Sequence, residues 1–332
     1  MQLKFILDLI QSERQALDST ILQSLSSRVS LVNDIGHHII QAGGKRLRPL
    51  MHILCAKACG YGFNSTETSH ISLAAIIEFI HTATLLHDDV VDESTKRRGL
   101  STANTLWGNA PSVLVGDFLY SRAFQMMVKL DNMAIQCILS DATNLIAEGE
   151  VLQLQLQGNL AISEQDYFDI IQYKTATLFQ AAAELSTVIL NEELRQHYRE
   201  KLALFGQHFG RCYQIIDDVL DYSGEVDVFG KNLGDDLQQG KLTLPLIYAL
   251  KNGPKDTQNY IKTSIQQITQ DKTQPNLAKL HDCLNLSGAF AYARQKAIEQ
   301  ADLAKSYLWC LPESEYKASL YALTDFMINR QT

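Results

Sequence analysis

The chain has 332 residues, of which 46% are hydrophobic, enough to bury a sizeable core. Its formal net charge of -8 argues against general nucleic-acid binding. The six cysteines show no Cys-x-x-Cys spacing, so we interpret them as buried thiols in a reducing, cytoplasmic compartment.

Helical periodicity runs through the whole chain, and only six prolines interrupt it. Strand signals are nearly absent, and no Pro/Gly/Ser-rich linker divides the sequence. No uninterrupted apolar run approaches the length of a transmembrane helix, and no signal peptide is evident. The pattern predicts an all-α protein with a single domain over residues 1–332. The predicted helices are 3–18, 29–41, 49–60, 66–92, 112–130, 132–157, 164–190, 192–222, 241–251, 256–270, 275–284, 287–307 and 313–329.

A glycine pair followed by basic residues, Gly-Gly-Lys-Arg-Leu-Arg-Pro, lies at residues 43–49. Pro49 is placed to open the next helix and to keep Arg48 out of the helical region. The glycines and cations then form a loop that runs into a helix N-terminus, where anions bind. For this cluster taken alone, a solvated basic turn is the alternative.

Two predicted helices end in the same carboxylate pattern, Asp-Asp-Val-x-Asp, at residues 88–92 and 217–221. A helix places residues i and i+4 on one face, so the first and last aspartates repel unless a cation lies between them. Carboxylates without cysteine suit Mg²⁺, which also binds substrate phosphates. For one motif alone, a solvated acidic helix end is the alternative. Two such motifs in one chain predict one metal site for a phosphorylated ligand.

A basic loop follows the first aspartate motif. Arg97 and Arg98 lie close enough in sequence to clamp diphosphate oxygens beside the carboxylates, with a solvated charge run as the alternative. The next predicted helix, 112–130, is bulky and apolar and includes Phe124 and Met127. Core packing explains these side chains, and a pocket wall is the alternative.

Further basic residues flank the second aspartate motif. Lys174 and Thr175 interrupt an apolar helical run, so Lys174 either has a partner or is exposed. The stretch 224–240 is too rich in glycine for a predicted helix. Lys231 lies in this stretch, and Lys241 directly follows it. Both can reach phosphates or pair with the aspartates.

Taken together, these motifs resemble those of the trans-prenyl diphosphate synthases, in particular the long-chain branch. The resemblance covers roughly residues 29–329 and rests on motifs in the family's order and approximate spacing. The motifs are 43–49, 81–92, 97–99, 174–175, 214–221 and 230–245. The resemblance implies an isoprenoid-synthase fold, a large helical bundle around a deep central cavity.

The implied activity is a repeated, Mg²⁺-dependent, head-to-tail condensation of isopentenyl diphosphate onto an allylic diphosphate such as farnesyl diphosphate. The implied product is octaprenyl diphosphate for quinone side chains, with neighbouring lengths left open. The resemblance also implies a homodimer whose product passes to membrane enzymes. No protein nucleophile or side-chain base is implied, because the released diphosphate is the family's usual acceptor of the proton.

The resemblance also implies roles for individual residues. The metal ligands are Asp88, Asp92, Asp217 and Asp221. The residues that assist the reaction or bind the allylic diphosphate are Asp89, Arg97, Lys174, Thr175, Gln214, Asp218, Lys231 and Lys241. The residues that bind isopentenyl diphosphate are Gly44, Lys45, Arg48, His81 and Arg98. A neutral histidine of the core is the alternative for His81.

Product length is predicted from the turn before Asp88. Thr84 lies one helical turn below Asp88, and its neighbour Ala83 is also small, so neither side chain blocks a growing tail. In short-chain members of the family, bulky aromatic residues stand at one or both positions. The floor of the cavity is therefore expected further down, at Phe124 or Met127.

Three other protein classes compete with this interpretation. A terpene cyclase shares the first aspartate motif but typically carries an Asn/Ser/Glu-type second motif. A phosphohydrolase that uses His87 and Asp88 as metal ligands needs further spaced histidines, which the sequence lacks. A non-catalytic subunit of a heteromeric synthase usually loses the aspartate motifs. Activity of the isolated chain distinguishes these classes.

Overall fold

The computed structural model describes residues 3–62, 68–223, 234–268 and 275–330. The structure is 81% helical, which confirms the all-α prediction. Within the described ranges, β-structure is limited to a small antiparallel hairpin. Its strands are β1 (Lys96–Arg97) and β2 (Leu100–Ser101), with Lys96 opposite Ser101 and Arg97 opposite Leu100.

Most helices follow the predicted bounds, but the predicted helix 3–18 is two helices that extend to residue 25, and the helix at 103–107 was not predicted. The helices are α1 (Leu3–Leu9), α2 (Gln11–Leu25), α3 (Ser30–Gln41), α4 (Leu47–Ala58), α5 (Ser69–Val91), α6 (Ala103–Trp107), α7 (Asn109–Lys129), α8 (Met133–Leu156), α9 (Glu164–Ile171), α10 (Thr177–Val188), α11 (Glu192–Ser223), α12 (Asp235–Gln238), α13 (Leu244–Asn252), α14 (Lys255–Gln266), α15 (Leu277–Leu286), α16 (Ala289–Tyr307) and α17 (Glu315–Ile328). A π-helical turn, Gln172–Ala176, joins α9 to α10, and a 3₁₀ turn, Leu308–Cys310, follows α16.

The chain forms two compact units, each assembled from segments that are distant in sequence. The first unit comprises Met1–Thr143, Leu178–Gly206 and Lys305–Leu323. The second unit comprises Asn144–Thr177, Gln207–Ala304 and Thr324–Thr332. The single-domain organisation over residues 1–332 stays a prediction.

Helix α5 is the central helix of the first unit and carries the first aspartate motif. It contains neither glycine nor proline, and it packs against α2, α4 and α7. Its buried residues lie on all sides, as expected for a helix enclosed by others. Helix α5 ends at Val91, and the backbone N–H of its C-cap residue, Asp92, donates to the Asp88 carbonyl at 2.8 Å. Glu93 follows with a φ of 50°, which takes the chain out of the helix.

The apolar character of α5 also bears on membrane insertion. In the described part of the chain it is the one helix long and apolar enough to cross a membrane by length and composition. However, 67% of its most apolar 18-residue stretch is buried inside the protein. This burial is the behaviour of a core helix.

The prediction that Pro49 opens α4 was wrong. Helix α4 begins at Leu47, so Arg48 is helical and Pro49 is the third helical residue. A proline is tolerated in the first turn because an N–H at that position has no acceptor within the helix. Arg46 precedes the helix with a left-handed backbone (φ 45°), and its carbonyl accepts the first helical hydrogen bond, from Leu50 N, at 3.0 Å.

The prediction that the whole glycine-rich stretch 224–240 is non-helical was also wrong. The short helix α12 forms there, immediately after Gly234, which adopts a left-handed φ of 75°. Asp235 and Asp236 in its first turn interact favourably with the helix dipole. Residues 224–233, which include the predicted catalytic residue Lys231, lie outside the described residues.

Candidate active site

In the first aspartate motif the middle carboxylate, Asp89, is fully buried and paired. Arg97 donates from Nε to Asp89 Oδ1 at 2.9 Å and from Nη2 to the same oxygen at 2.8 Å. A third contact joins Arg97 Nε to Asp89 Oδ2 at 3.1 Å. Burial raises the pKa of the Asp89 carboxyl, and the Arg97 guanidinium opposes that shift. This pair ties the hairpin to the end of α5.

The other two carboxylates of the motif, Asp88 and Asp92, remain partly exposed on one side of α5. In the part of the chain that the structure describes, no three His, Cys, Asp or Glu side chains converge to hold a metal ion. Carboxylate oxygens suit Mg²⁺, which commonly keeps water and substrate phosphate in its shell. Asp88 and Asp92 are ligands of this chemical type.

The hairpin turn separates the two neighbouring arginines. Arg98 and Gly99 form the turn with φ values of 52° and 79°, the left-handed pair typical of a two-residue hairpin. Arg97 turns to Asp89, whereas the Arg98 guanidinium lies over Gly44. A Cβ at Gly44 would lie 2.7 Å from Arg98 Cζ, so only glycine permits this approach.

Beside this contact, Arg48 and His81 form a second polar pair. Arg48 Nη1 lies 3.3 Å from His81 Nε2, and its guanidinium lies 4.3 Å above the centroid of the buried Phe179 ring. Burial, with the charges of Arg48 and Arg98, holds the pKa of His81 well below its usual range. The imidazole is therefore neutral, and its Nε2 accepts the hydrogen bond from Arg48.

In the second aspartate motif the middle carboxylate, Asp218, is again buried and satisfied by protein groups. Tyr167 Oη donates to its Oδ2 at 2.6 Å, and Gln214 Nε2 donates to its Oδ1 at 2.7 Å. Thr175 Oγ1 in turn donates to Gln214 Oε1 at 2.9 Å. Burial, with the charge of Asp236, raises the pKa of Asp218 well above its usual range. This chain of hydrogen bonds fixes the orientation of Gln214 and Thr175.

The outer carboxylates of the second motif have different partners. Asp217 accepts a hydrogen bond from Arg330, whose guanidinium also lies 5.0 Å from the Tyr213 ring centroid. Asp221 Oδ2 accepts from the backbone N–H of Asp236 in the first turn of α12, at 3.3 Å. Both carboxylates keep part of their surface exposed.

Lys174 lies in the π-helical turn and is not a solvated side chain. Its Nζ donates to Glu150 Oε2 at 2.6 Å and to Gln153 Oε1 at 2.9 Å, both on α8. Gly149 allows this approach, because a Cβ there would lie 2.7 Å from the Lys174 backbone nitrogen. π-Helical turns occur often at functional sites, where an extra residue re-aims side chains.

The second unit brings several predicted residues together around one cavity of about 90 Å³. Lys174, Thr175, Gln214 and Asp218 line it, and Lys241 joins them from beyond α12. Its walls include the apolar side chains of Ile170 and Leu242 among others. An apolar wall with convergent amide, hydroxyl, ammonium and carboxyl groups suits an amphiphilic ligand.

The predicted chain-length residues occupy two kinds of environment in the first unit. Ala83 and Met127 are buried. Thr84 is half-buried, and its Oγ1 donates to the His81 carbonyl at 2.8 Å. Phe124 is 46% exposed on α7 of the single chain.

Several residues of the site were missed from the sequence. Glu150, which accepts a hydrogen bond from Lys174, carried the same signal as Lys174, a charged residue within an apolar helical run. Tyr167 and Arg330 carried no local signal, because they contact Asp218 and Asp217 across 51 and 113 positions of sequence.

Comparison with known proteins gives a consistent result over the whole chain. The polyprenyl synthetase family matches residues 29–282. The octaprenyl diphosphate synthase of Escherichia coli (strain K12) is 42% identical over 330 residues, which cover 99% of each protein. The all-trans-nonaprenyl-diphosphate synthase (geranyl-diphosphate specific) of Rhodobacter capsulatus is 44% identical over 326 residues, covering 98% of this chain and 97% of the relative.

A solved structure agrees with these sequence relatives. The polyprenyl synthase of Caulobacter crescentus CB15, complexed with calcium and isoprenyl diphosphate, superposes with a TM-score of 0.93 at 38% sequence identity. The match covers 100% of this chain and 98% of the Caulobacter chain.

Proposed function

This chain belongs to the polyprenyl synthetase family, and we propose from this that it condenses isopentenyl diphosphate repeatedly onto an allylic diphosphate such as farnesyl diphosphate. It is a long-chain trans-prenyl diphosphate synthase and hence a prenyltransferase. One structural observation supports this function independently of the family match. Each aspartate motif buries its middle carboxylate in protein contacts and keeps its outer carboxylates partly exposed. This arrangement supports a site for metal-bound diphosphate.

We propose Mg²⁺ as the metal, held by Asp88, Asp92, Asp217 and Asp221. When bound, Mg²⁺ withdraws charge from the departing diphosphate and so assists ionisation of the allylic carbon–oxygen bond. Asp89 and Asp218 have the different role of fixing the two motifs through their buried partners. The calcium and isoprenyl diphosphate in the Caulobacter polyprenyl synthase support the use of a divalent ion.

The remaining cations are assigned by substrate. Arg97, Lys174 and Lys241 serve the allylic diphosphate, and the predicted participation of Lys231 stays a prediction. Thr175 and Gln214 present fixed oxygen atoms to the developing allylic cation, since their hydrogen bonds to each other and to Asp218 hold them in place.

The second substrate is assigned to the neighbourhood of Gly44. Lys45, Arg48, His81 and Arg98 bind isopentenyl diphosphate. Its double bond attacks the allylic carbon, a carbon–carbon bond forms, and the proton leaves to the released diphosphate. This assignment needs no side-chain base, and the neutral state of His81 suits a role in binding.

We propose octaprenyl diphosphate as the main product, destined for membrane enzymes that attach it to quinones. The octaprenyl and nonaprenyl products named for the bacterial relatives support a long chain. The small side chains of Ala83 and Thr84 place no bulky group one turn before Asp88, which supports a long product. A cytoplasmic location is part of the same proposal.

We also propose that the enzyme is a homodimer. Helix α7 exposes large apolar side chains, Leu114, Phe124 and Val128, on one of its faces. Met133 at the start of α8 is exposed as well. Exposed large apolar side chains on one face of a helix are typical of a subunit contact. Sedimentation at micromolar concentration is expected to give a dimer, and a monomer alone would contradict the proposal.

The activity is tested with the isolated protein, Mg²⁺, farnesyl diphosphate and labelled isopentenyl diphosphate. We expect a ladder of prenyl diphosphates that ends in the octaprenyl range, identified after dephosphorylation by chromatography. The reaction without isopentenyl diphosphate is the control. A cyclic hydrocarbon in that control would indicate a terpene cyclase, and no product in either reaction would contradict the proposed function.

A further inference from the structure

The π-helical turn between α9 and α10 carries Lys174 and Thr175, the two residues of this turn that line the cavity of the second unit. Its closing hydrogen bond runs from the backbone N–H of Thr177 to the Gln172 carbonyl, five residues back, which is the spacing of a π-helix. The Thr177 hydroxyl donates to the same carbonyl at 2.8 Å. Gln172 therefore closes the turn from which both cavity side chains project.

The direction of these two side chains depends on the turn staying π-helical. Lys174 contacts Glu150 on α8, whereas Thr175 contacts Gln214 on α11. A π-helical turn holds one residue more than an α-helical turn, and each residue of an α-helix rotates the chain by about 100°. If the turn relaxed to α-helical geometry, the side chains before and after it would change their relative direction by that angle. Both contacts could not then be kept.

Arg211 on α11 holds the turn from outside the cavity. Its Nε donates to Gln172 Oε1 at 2.7 Å. The second contact with α11 is the hydrogen bond from Thr175 Oγ1 to Gln214 Oε1, at 2.9 Å. The two contacts lie three residues apart along the turn and three residues apart along α11, so they are neighbours. Thr175 and Gln214 line the cavity, but Arg211 and Gln172 do not.

We propose that Arg211 is a positioning residue for the allylic diphosphate. Through Gln172 it keeps the turn π-helical, and so it directs Lys174 and Thr175 toward that substrate. This proposal rests on the proposed function, in which Lys174 serves the allylic diphosphate and Thr175 the allylic cation. A guanidinium donor suits this role, because hydrogen bonds from charged donors are stronger than neutral ones.

The hydrogen bond of Arg211 can be separated from its charge by substitution. Glutamine carries Nε2 the same number of bonds from Cα as arginine carries Nε, so Arg211→Gln keeps a donor for Gln172 and removes the charge. Arg211→Met has a similar length and no donor. Arg199→Met is the matched control, because Arg199 on the same helix also donates through Nε, to Glu184 Oε1 at 2.8 Å, away from the turn.

The kinetic experiment uses the full-length enzyme with Mg²⁺. Initial rates are measured against farnesyl diphosphate at saturating isopentenyl diphosphate, and then with the two substrates exchanged. We expect Arg211→Met to raise the KM for farnesyl diphosphate roughly 10- to 100-fold, since a small misplacement of binding groups costs that much. The KM for isopentenyl diphosphate should stay within about twofold of the wild type, as should both constants of Arg211→Gln and Arg199→Met.

Two further measurements do not depend on turnover. Farnesyl thiolodiphosphate, in which sulfur replaces the bridging oxygen and slows ionisation, is titrated with Mg²⁺ present, and its Kd should rise in Arg211→Met together with the KM. In the free protein, amide hydrogen exchange over residues 173–177 should be faster in Arg211→Met than in the wild type, Arg211→Gln or Arg199→Met. Melting temperatures check the fold of each variant. If Arg211→Met does not fold, Gln172→Met, which removes the acceptor, replaces it with the same expected results.

Several results would overturn the positioning role of Arg211. They are unchanged KM values, equal rises in KM for the two substrates, a loss confined to kcat, or equal effects of Arg211→Gln and Arg211→Met. A purely structural contact would lower the melting temperature without affecting one substrate selectively.

A double-mutant cycle with Gln172→Met tests the physical cause. If Arg211 acts through Gln172, the effect of Arg211→Met on the KM for farnesyl diphosphate shrinks in the Gln172→Met background, and full additivity would overturn that route. Failure of the wild-type enzyme to form any prenyl product contradicts the proposed function instead. An active wild type without a selective effect in Arg211→Met contradicts only the role of Arg211.

Discussion

Arg97 is held by Asp89, through hydrogen bonds of 2.9 and 2.8 Å from two of its nitrogens to one oxygen of the buried carboxylate. Arg98, the next residue, instead places its guanidinium over Gly44. Two adjacent arginines thus belong to different surroundings, one beside the first aspartate motif and one beside the Gly-Gly loop.

We expect this separation to appear in the kinetics. Arg98→Ala should raise the KM for isopentenyl diphosphate by more than the KM for the allylic substrate, because Arg98 lies beside the residues assigned to isopentenyl diphosphate. Arg97→Ala should act chiefly on the allylic side, because it releases Asp89. Bisubstrate initial rates measure both constants, and equal effects of Arg98→Ala on the two substrates would remove the assignment.

The outer carboxylates are expected to be essential for metal-dependent turnover. Asp88→Ala or Asp217→Ala should each lower kcat by a factor on the order of 100 or more, because a metal–diphosphate complex loses a ligand. Asp141→Ala, which removes an exposed carboxylate from α8, serves as the control. Circular dichroism checks the fold. Near-normal rates in both site variants would contradict a metal site shared by the two motifs.

Product length should respond to the buried position Ala83. A tyrosine there places a bulky ring one turn below Asp88, so Ala83→Tyr should shorten the product to the farnesyl or geranylgeranyl range while retaining the first condensation. Overpacking costs roughly 1 to 3 kcal/mol, so the melting temperature is measured as well. Ala161→Tyr, at an exposed alanine, is the control. An unchanged chromatographic profile in Ala83→Tyr would show that the tail does not pass this face of α5.

The predicted floor of the cavity is tested separately. Met127→Ala and Phe124→Ala should lengthen the product if these side chains end the path of the tail. Met127 is buried, whereas Phe124 is largely exposed in the single chain, so the two variants need not agree. Shorter or unchanged products in both would contradict the predicted floor.

Stability should fall in mild acid because of His52. Burial lowers the pKa of this histidine to about 4, from an ordinary 6.5, and its Nδ1–H donates to the Ala182 carbonyl at 2.9 Å. Between pH 6.5 and about pH 4, His52 is protonated in the unfolded chain but stays neutral in the folded chain. The free energy of unfolding therefore falls as the pH drops through this window, by about 3 kcal/mol in total.

Urea denaturation at pH 7.5 and pH 5 measures this effect. Between pH 7.5 and pH 5, the free energy of unfolding of the wild type should fall by about 2 kcal/mol because of His52. This part of the decrease should be absent in His52→Gln. His281→Gln, at an exposed histidine, should follow the wild type. Identical pH dependence in the wild type and His52→Gln would contradict the prediction.

The long helices were predictable because their apolar periodicity reflects packing that local sequence already encodes. Helix α5 was predicted over 66–92 and spans Ser69–Val91. The errors lie where local rules compete. At Pro49 the general preference against a helical residue before proline gave way to the tolerance of the first turn. At α12 two aspartates favoured a short helix despite the nearby glycines.

The candidate site was predictable only where its residues form contiguous motifs. The two aspartate patterns and the Lys174 pair could be identified from spacing and charge. The partners of Asp218 and Asp217 could not, because Tyr167 and Arg330 are adjacent to them only in the folded chain. The π-helical turn at Lys174 also escaped prediction, since a single turn leaves the apolar periodicity on either side intact.

The two-residue turn of the β1–β2 hairpin sets which way each arginine faces. Arg97 is the last residue of its strand, and Arg98 is the first residue of the turn, in a left-handed conformation that disfavours most side chains. One inserted residue after Arg98 would change the register of the hairpin and the direction of this side chain. Under the proposed assignment of Arg98 to isopentenyl diphosphate, the length of this turn determines substrate binding as much as the identity of the residue does. A variant with a longer turn would then have to supply that cation from another segment.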